Sequence, residues 1–101
     1  GGKSRIRYRD LEVDTDKCLV LLNGEEVHLT STEYKLLCYL IENKGRIVTK
    51  AMLLEQLWDI DGNFVDENTI RVNIKRLRQK LNDDKQEYIV TVFGMGYTFG
   101  E

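Results

Sequence analysis

Between Asp66 and Leu81 the chain places arginines, lysines, asparagines and a threonine at spacings that gather them on one side of a helix. At 100° per residue, Ile70, Ile74, Leu77 and Leu81 fall within about 40° of one another and form a narrow apolar stripe. Opposite that stripe lie Asn68, Val72, Lys75, Arg76 and Gln79, with Arg71 and Arg78 on one flank and Thr69 on the other. Such a face offers many hydrogen-bond donors around a lone apolar contact. An arginine can pair bidentately with guanine O6 and N7, and a valine can touch a thymine methyl. Lys75, Asn68 and Asn73 suit phosphate oxygens. A solvated surface helix can carry the same charges, so the surrounding elements must decide between the two readings.

Net charge argues at first against a polyanion partner, because 101 residues carry −2 in total. Its distribution reverses that impression. Residues 1–9 hold +4 and residues 65–81 hold +3, which leaves −9 elsewhere. Segregated charge can orient a protein on a polyanion whatever its sum. Length suits one domain. No apolar run reaches the ~18–20 residues of a membrane span and no signal peptide is visible, so the chain reads as cytoplasmic. Cys18 and Cys38 form no CxxC pair and there is one histidine, so neither zinc nor a disulfide framework is expected. Gly1-Gly2-Lys3-Ser4 reads as a leader or cloning remnant, with residues 5–101 as the domain.

The elements that position the cationic helix are legible from local patterns. Arg5, Arg7 and Arg9 alternate with Ile6 and Tyr8, and Leu11 and Val13 alternate with Glu12 and Asp14, the period of a strand. Asn23-Gly24 predicts a type I′ hairpin turn after the apolar run 18–22. A small antiparallel sheet of three or four strands is expected. Thr30-Ser31-Thr32-Glu33 fits a capping box that opens a helix over about 31–43, stopped by Gly45 at C′. Thr49 is the N-cap of a second helix over about 50–58, with Asp59–Phe64 as a loop. Asp66 caps the third helix, about 67–81. Strands at 88–93 and 97–99 follow, joined through Gly94-Met95-Gly96. Two helices, a loop and then a hairpin suggest a winged helix: an α+β fold with an N-terminal antiparallel sheet, three helices and a C-terminal hairpin wing.

Three stretches carry a family resemblance. Thr30-Ser31-Thr32-Glu33-Tyr34-Lys35-Leu36-Leu37, the segment Phe64 to Arg78, and Val92-Phe93-Gly94-Met95-Gly96-Tyr97 resemble the helix-one opening, recognition helix and wing of one family. That family is the OmpR/PhoB-type effector domain of two-component response regulators, and the resemblance spans about residues 6–100. It implies sequence-specific binding of double-stranded DNA in transcription control, with no catalysis and no cofactor. It implies that Thr69, Arg71, Val72 and Arg76 face bases, while Asn68, Asn73, Lys75 and Arg78 face phosphates. It matches Trp58, Thr91 and Tyr97 to backbone contacts. The loop Asp59, Ile60, Asp61, Gly62, Asn63 and Phe64 matches a segment that can touch RNA polymerase, and is about one residue longer than in some members. The resemblance also implies head-to-tail pairs on direct repeats, a monomer off DNA, and a receiver domain with a sensor kinase in a longer protein. Some members carry arginine at the position of Phe93 and insert it into the minor groove.

The remaining residues receive structural expectations. Phe93 is expected in the wing core, with packing against DNA sugars as the alternative, and Trp58 ends an apolar stripe and should be partly buried. Cys18 and Cys38 read as small core residues, His28 as a surface residue, and Tyr8, Tyr34, Tyr39 and Tyr88 as packing aromatics. The arginines before residue 10 suit the wet face of an edge strand or docking of a receiver domain. A winged helix used to bind protein is the competing function, supported by the acidic remainder. An enzyme is disfavoured: there is no phosphate-cradling glycine loop and no nucleophile with a histidine base, and Asp59 and Asp61 lie in a loop without an expected pocket.

Overall fold

The computed structural model describes residues 5–61 and 66–100, with residues 58–61 described by backbone alone. Residues 1–4 and Glu101 lie outside the described residues. Four short strands come first: β1 (Arg5–Tyr8), β2 (Leu11–Asp14), β3 (Leu19–Leu22) and β4 (Glu25–Glu26). They pair antiparallel in chain order, with Val13 opposite Val20 and Leu21 opposite Glu26. Asn23 and Gly24 both take positive φ, 57° and 84°, as the type I′ turn requires. Leu11, Val13 and Val20 point inward and are buried, while Arg5 and Arg7 stand exposed on the edge strand β1.

Helix α1 (Ser31–Glu42) opens with the expected capping box. The Glu33 amide donates to Thr30 Oγ1 at 3.1 Å, and the Thr30 amide donates to Glu33 Oε1 at 3.0 Å. Leu36, Leu37, Leu40 and Ile41 form its buried face. Asn43 is the C-cap, which puts Gly45 one position beyond C′.

A two-residue strand that the residue pattern does not reveal, β5 (Val48–Thr49), precedes α2 (Lys50–Asp61). Thr49 caps α2 by accepting from the Met52 amide at 3.2 Å. The helix continues past the expected end at 58, since none of its residues through Asp61 is glycine or proline. The expected loop 59–64 therefore begins inside the helix, and its second half, Gly62–Phe64, lies outside the described residues.

Helix α3 (Glu67–Lys80) is capped by Asp66, and Ile70, Ile74 and Leu77 are buried along it. The hairpin β6 (Ile89–Val92) and β7 (Gly96–Phe99) joins β5 in a second sheet of order β5-β7-β6. Leu53 and Leu57 of α2 complete a core shared by the three helices and both sheets. Tyr8 meets Tyr88 and Phe99 edge-on, with the three ring centroids 5.3–6.3 Å apart, and the cluster binds the first sheet to the root of the hairpin. No helix among the described residues is long and apolar enough to cross a membrane.

Candidate nucleic-acid interface

The N-terminus of α3 is fixed by charge and hydrogen bonding. Asp66 Oδ1 accepts from the Thr69 amide at 2.9 Å and from Thr69 Oγ1 at 3.0 Å. Those bonds hold the Asp66 carboxyl below its ordinary pKa. Lys50, at the start of α2, pairs with Glu67 and sets the two helix starts side by side. Hydrogen bonding and charge from Lys50 hold the Glu67 carboxyl down as well.

From that anchored start, α3 presents Asn68, Arg71, Val72, Lys75, Arg76 and Gln79 to solvent. Val72 is the one exposed large aliphatic residue on this face of the helix. Thr69 is half-buried, and its hydroxyl proton is committed to Asp66. These positions follow from the apolar stripe: once Ile70, Ile74 and Leu77 are buried, the opposite residues have nowhere to go but outward.

Three expected contact residues, Asn73, Tyr97 and Arg78, are placed differently. Asn73 is only 8% exposed, and its Nδ2 donates to the Thr69 carbonyl oxygen at 2.9 Å. It shares a helix side with Ile70 and Ile74, so it serves the helix rather than an open phosphate-binding face. Tyr97 is 9% exposed and packs within the core, with the Arg78 guanidinium 5.9 Å from its ring centre. Its alternation along β7, inward with Phe99, decides that placement.

Arg78 is half-buried and turned towards the hairpin. Its Nε and Nη2 donate to the Ile89 carbonyl oxygen at 3.1 and 2.8 Å, and Nη2 also donates to Thr91 Oγ1 at 2.7 Å. Burial pulls its pKa down, opposed by the charge of Asp83. Strand β6 is a sheet edge, so the outward amide and carbonyl of Ile89 lack a neighbouring strand. Asp83 completes the arrangement. It is 3% exposed, and its Oδ2 accepts from the Ile89 amide at 2.8 Å. Its Oδ1 accepts from the Glu87 and Tyr88 amides at 2.6 and 3.0 Å. Arg78 and Asp83 thus satisfy both backbone groups of Ile89 and set the hairpin against α3. Asp83 looks like one of several turn residues in Asn82-Asp83-Asp84, and the only local signal is an aspartate shortly before a strand.

A groove of about 400 Å³ lies where α3 meets the hairpin, lined by Arg71, Lys75, Arg78, Gln79 and Tyr97 among others. Beyond it the hairpin ends in a tight turn in which the Met95 amide donates to the Val92 carbonyl oxygen at 3.0 Å. Gly94 takes φ +73° at the third position of that turn. Phe93 occupies the second position and is 97% exposed, so it is not part of the wing core. Strand β6 ends at Val92, so Phe93 falls in the turn, where side chains point into solvent.

The side chains of Trp58, Asp59, Ile60 and Asp61 lie outside the described residues, as do Gly62, Asn63 and Phe64 altogether. Cys18 is not a core residue: it stands exposed in the β2–β3 turn with φ +50°. Cys38 is half-buried. His28 is exposed beside Glu26, as a surface residue should be.

A cationic helix, preceded by a helix across a short connection and followed by a clamped β-hairpin, defines a winged helix-turn-helix domain. A family model described as "Transcriptional regulatory protein, C terminal" matches residues 24–99. The uncharacterized transcriptional regulatory protein YcbL of Bacillus subtilis is 42% identical over 98 residues, covering 95% of this chain and 43% of that protein. The response regulator DrrB of Thermotoga maritima, an OmpR/PhoB homolog, superposes with a TM-score of 0.88 at 35% identity over 98% of this chain and 45% of that one. The RstA DNA-binding domain of Klebsiella pneumoniae, solved in complex with the RstA box, superposes with a TM-score of 0.82 at 33% identity, covering 95% and 96% of the two chains. The chain belongs to this family and is an OmpR/PhoB-type DNA-binding domain of a transcriptional response regulator. It spans less than half the length of the curated relatives it matches.

Proposed function

We propose that the domain reads a specific sequence in double-stranded DNA, with α3 in the major groove and the hairpin β6–β7 on the flanking backbone or minor groove. The observation that carries this reading is the exposed face of Arg71, Val72, Lys75 and Arg76 on a helix whose start is anchored by Asp66 and Lys50. Arg71 and Arg76 supply the forked donors that recognise guanine, Val72 supplies the methyl contact, and Thr69 offers its methyl group and oxygen. Asn68 and Lys75 hold phosphates, and Thr91 stands exposed at the hairpin for the same purpose. Arg78 acts as a positioning residue that fixes where the wing falls.

Further parts of the reading follow from the family. Two copies bind head-to-tail on a direct repeat, and the domain is monomeric off DNA. A receiver domain and a sensor kinase control it in a longer cytoplasmic protein. The segment 59–64 is available to RNA polymerase, with Trp58 near the DNA backbone. The domain itself performs no catalysis.

Selection of bound duplexes from a random pool at roughly physiological salt tests the reading, with Arg76→Ala in parallel. Enrichment of a direct repeat with half-sites about one helical turn apart is expected. Arg76→Ala should cost about 1–3 kcal/mol and relax specificity at one base position. An equal loss on every sequence would make Arg76 a phosphate contact. A pool left unenriched by the wild type would favour the protein-binding function.

A further inference from the structure

Thr69 is held on three sides. Its hydroxyl donates to Asp66 Oδ1 at 3.0 Å, and its amide donates to the same oxygen at 2.9 Å. Its carbonyl oxygen accepts from Asn73 Nδ2 at 2.9 Å. A helix cap needs only the amide bond, because the donors left over at a helix start are backbone groups. The bond from the hydroxyl is extra, and it has a chemical consequence. An ionised carboxylate can only accept, and Asp66 stays ionised at neutral pH because these bonds hold its pKa down. A hydroxyl has one proton and two lone pairs. With the proton given to Asp66, the Thr69 hydroxyl has only lone pairs left to offer a ligand.

Thr69 stands where that restriction matters. It lies in the first turn of α3, half-buried, and the exposed Val72 and Arg76 follow it at i+3 and i+7 along the same side of the helix. The N-terminal residues of a helix in the major groove are the ones that contact base edges. There adenine N6 and cytosine N4 are donors, whereas guanine O6 and thymine O4 are acceptors. We infer that Asp66 is a specificity-determining positioning residue: by taking the Thr69 proton it makes Thr69 an acceptor, so that the base facing Thr69 is chosen for its amino group, adenine or cytosine over guanine or thymine. This inference rests on the proposed function and names how one of its contacts is selected. Without the carboxylate, the hydroxyl is free to turn and either donate or accept, and all four bases satisfy it.

The test is competition between duplexes that carry one selected half-site and differ by single base pairs, for the wild type, Thr69→Val, Asp66→Asn and Asp66→Gly. Thr69→Val keeps the branched shape without the hydroxyl, so the position at which it alters preference is the one Thr69 faces. Melting temperatures are compared first; glycine and asparagine are both tolerated as N-caps, so both Asp66 variants should fold. At the Thr69 position the wild type should favour adenine and cytosine about fivefold, the ratio that one neutral hydrogen bond supports. Thr69→Val and Asp66→Gly should each flatten that preference to near unity and leave the other positions unchanged. Asp66→Asn, whose amide oxygen still accepts, should retain it. If Asp66→Gly instead weakens binding to every duplex equally, Asp66 is a cap and nothing more. Wild-type preference for guanine or thymine at that position, or loss of the preference in Asp66→Asn, would overturn the proton argument. A Thr69→Val profile identical to the wild type at every position would remove Thr69 from base reading while leaving DNA binding intact. Failure of the wild type to enrich any duplex would refute the DNA-binding reading, and this inference with it.

Discussion

Replacing Arg78 with alanine separates two roles that a cationic residue on α3 could have. In the structure its guanidinium spans 2.8 and 3.1 Å to the Ile89 carbonyl oxygen and 2.7 Å to Thr91 Oγ1. Ile89 is fully buried on an edge strand, so its carbonyl has neither a neighbouring strand nor open solvent to replace the lost donors. A hydrogen bond to a charged group contributes about 1.5–3 kcal/mol, and the shared acceptor keeps the total near the value for one such bond. A loss of about 2 kcal/mol corresponds to a fall in melting temperature of about 10 °C for a domain of this size. Thermal unfolding followed by circular dichroism measures it directly. DNA affinity should also fall, because the wing loses its fixed position, but the salt slope should be nearly unchanged. Arg78→Lys, which retains the charge without the fork, should recover only part of the stability. If Arg78→Ala melts with the wild type and lowers the salt slope by about 0.9, the side chain is a phosphate contact and the clamp argument is wrong.

Other consequences are accessible to simple measurements. A Cβ at Gly96 would stand 2.1 Å from the Val48 carbonyl oxygen and 2.9 Å from Thr49 Cα, so Gly96→Ala should destabilise by about 3 kcal/mol or more in urea unfolding; a wild-type urea midpoint would contradict the tight β5–β7 approach. Burial pushes the Glu33 carboxyl up, but Lys80 at 2.6 Å and the Thr30 amide outweigh it, and its folded pKa lies below the ordinary 4.5. Its contribution is present above that value and is lost as pH falls through the folded pKa. The urea midpoint should therefore drop on acidification below about pH 4.5, and Glu33→Gln should flatten that drop. Cys18, exposed in its turn, should alkylate well before Cys38, which is half-buried and whose thiol burial pushes up; peptide mass spectrometry of a time course would reveal equal rates if this burial pattern is wrong.

What the residues determined without help was local. The Thr30 and Asp66 caps, the Asn23-Gly24 turn and the apolar stripe of α3 each depend on neighbours within four positions, and each is present as read. The exposed set Asn68, Arg71, Val72, Lys75 and Arg76 follows from that stripe alone, because a helix that buries one side must expose the other. Contacts between distant segments lie beyond such reasoning. Strand β5 is two residues long and exists only because β7 arrives beside it. Arg78 and Asp83 have the composition of a surface helix and a turn, yet the unpaired edge of β6 draws both into a clamp. The amide of Asn73 suits a phosphate and the family resemblance implies a backbone contact for Tyr97, yet packing turns both inward. Phe93 and Cys18 are apolar by type, but each sits at a turn, where the backbone leaves no route to the core. Sequence spacing thus settled which side chains could face a nucleic acid. Tertiary packing decided which of them are free to do so and where the wing stands beside them, since those choices depend on which backbone groups are left without partners after the sheets have formed.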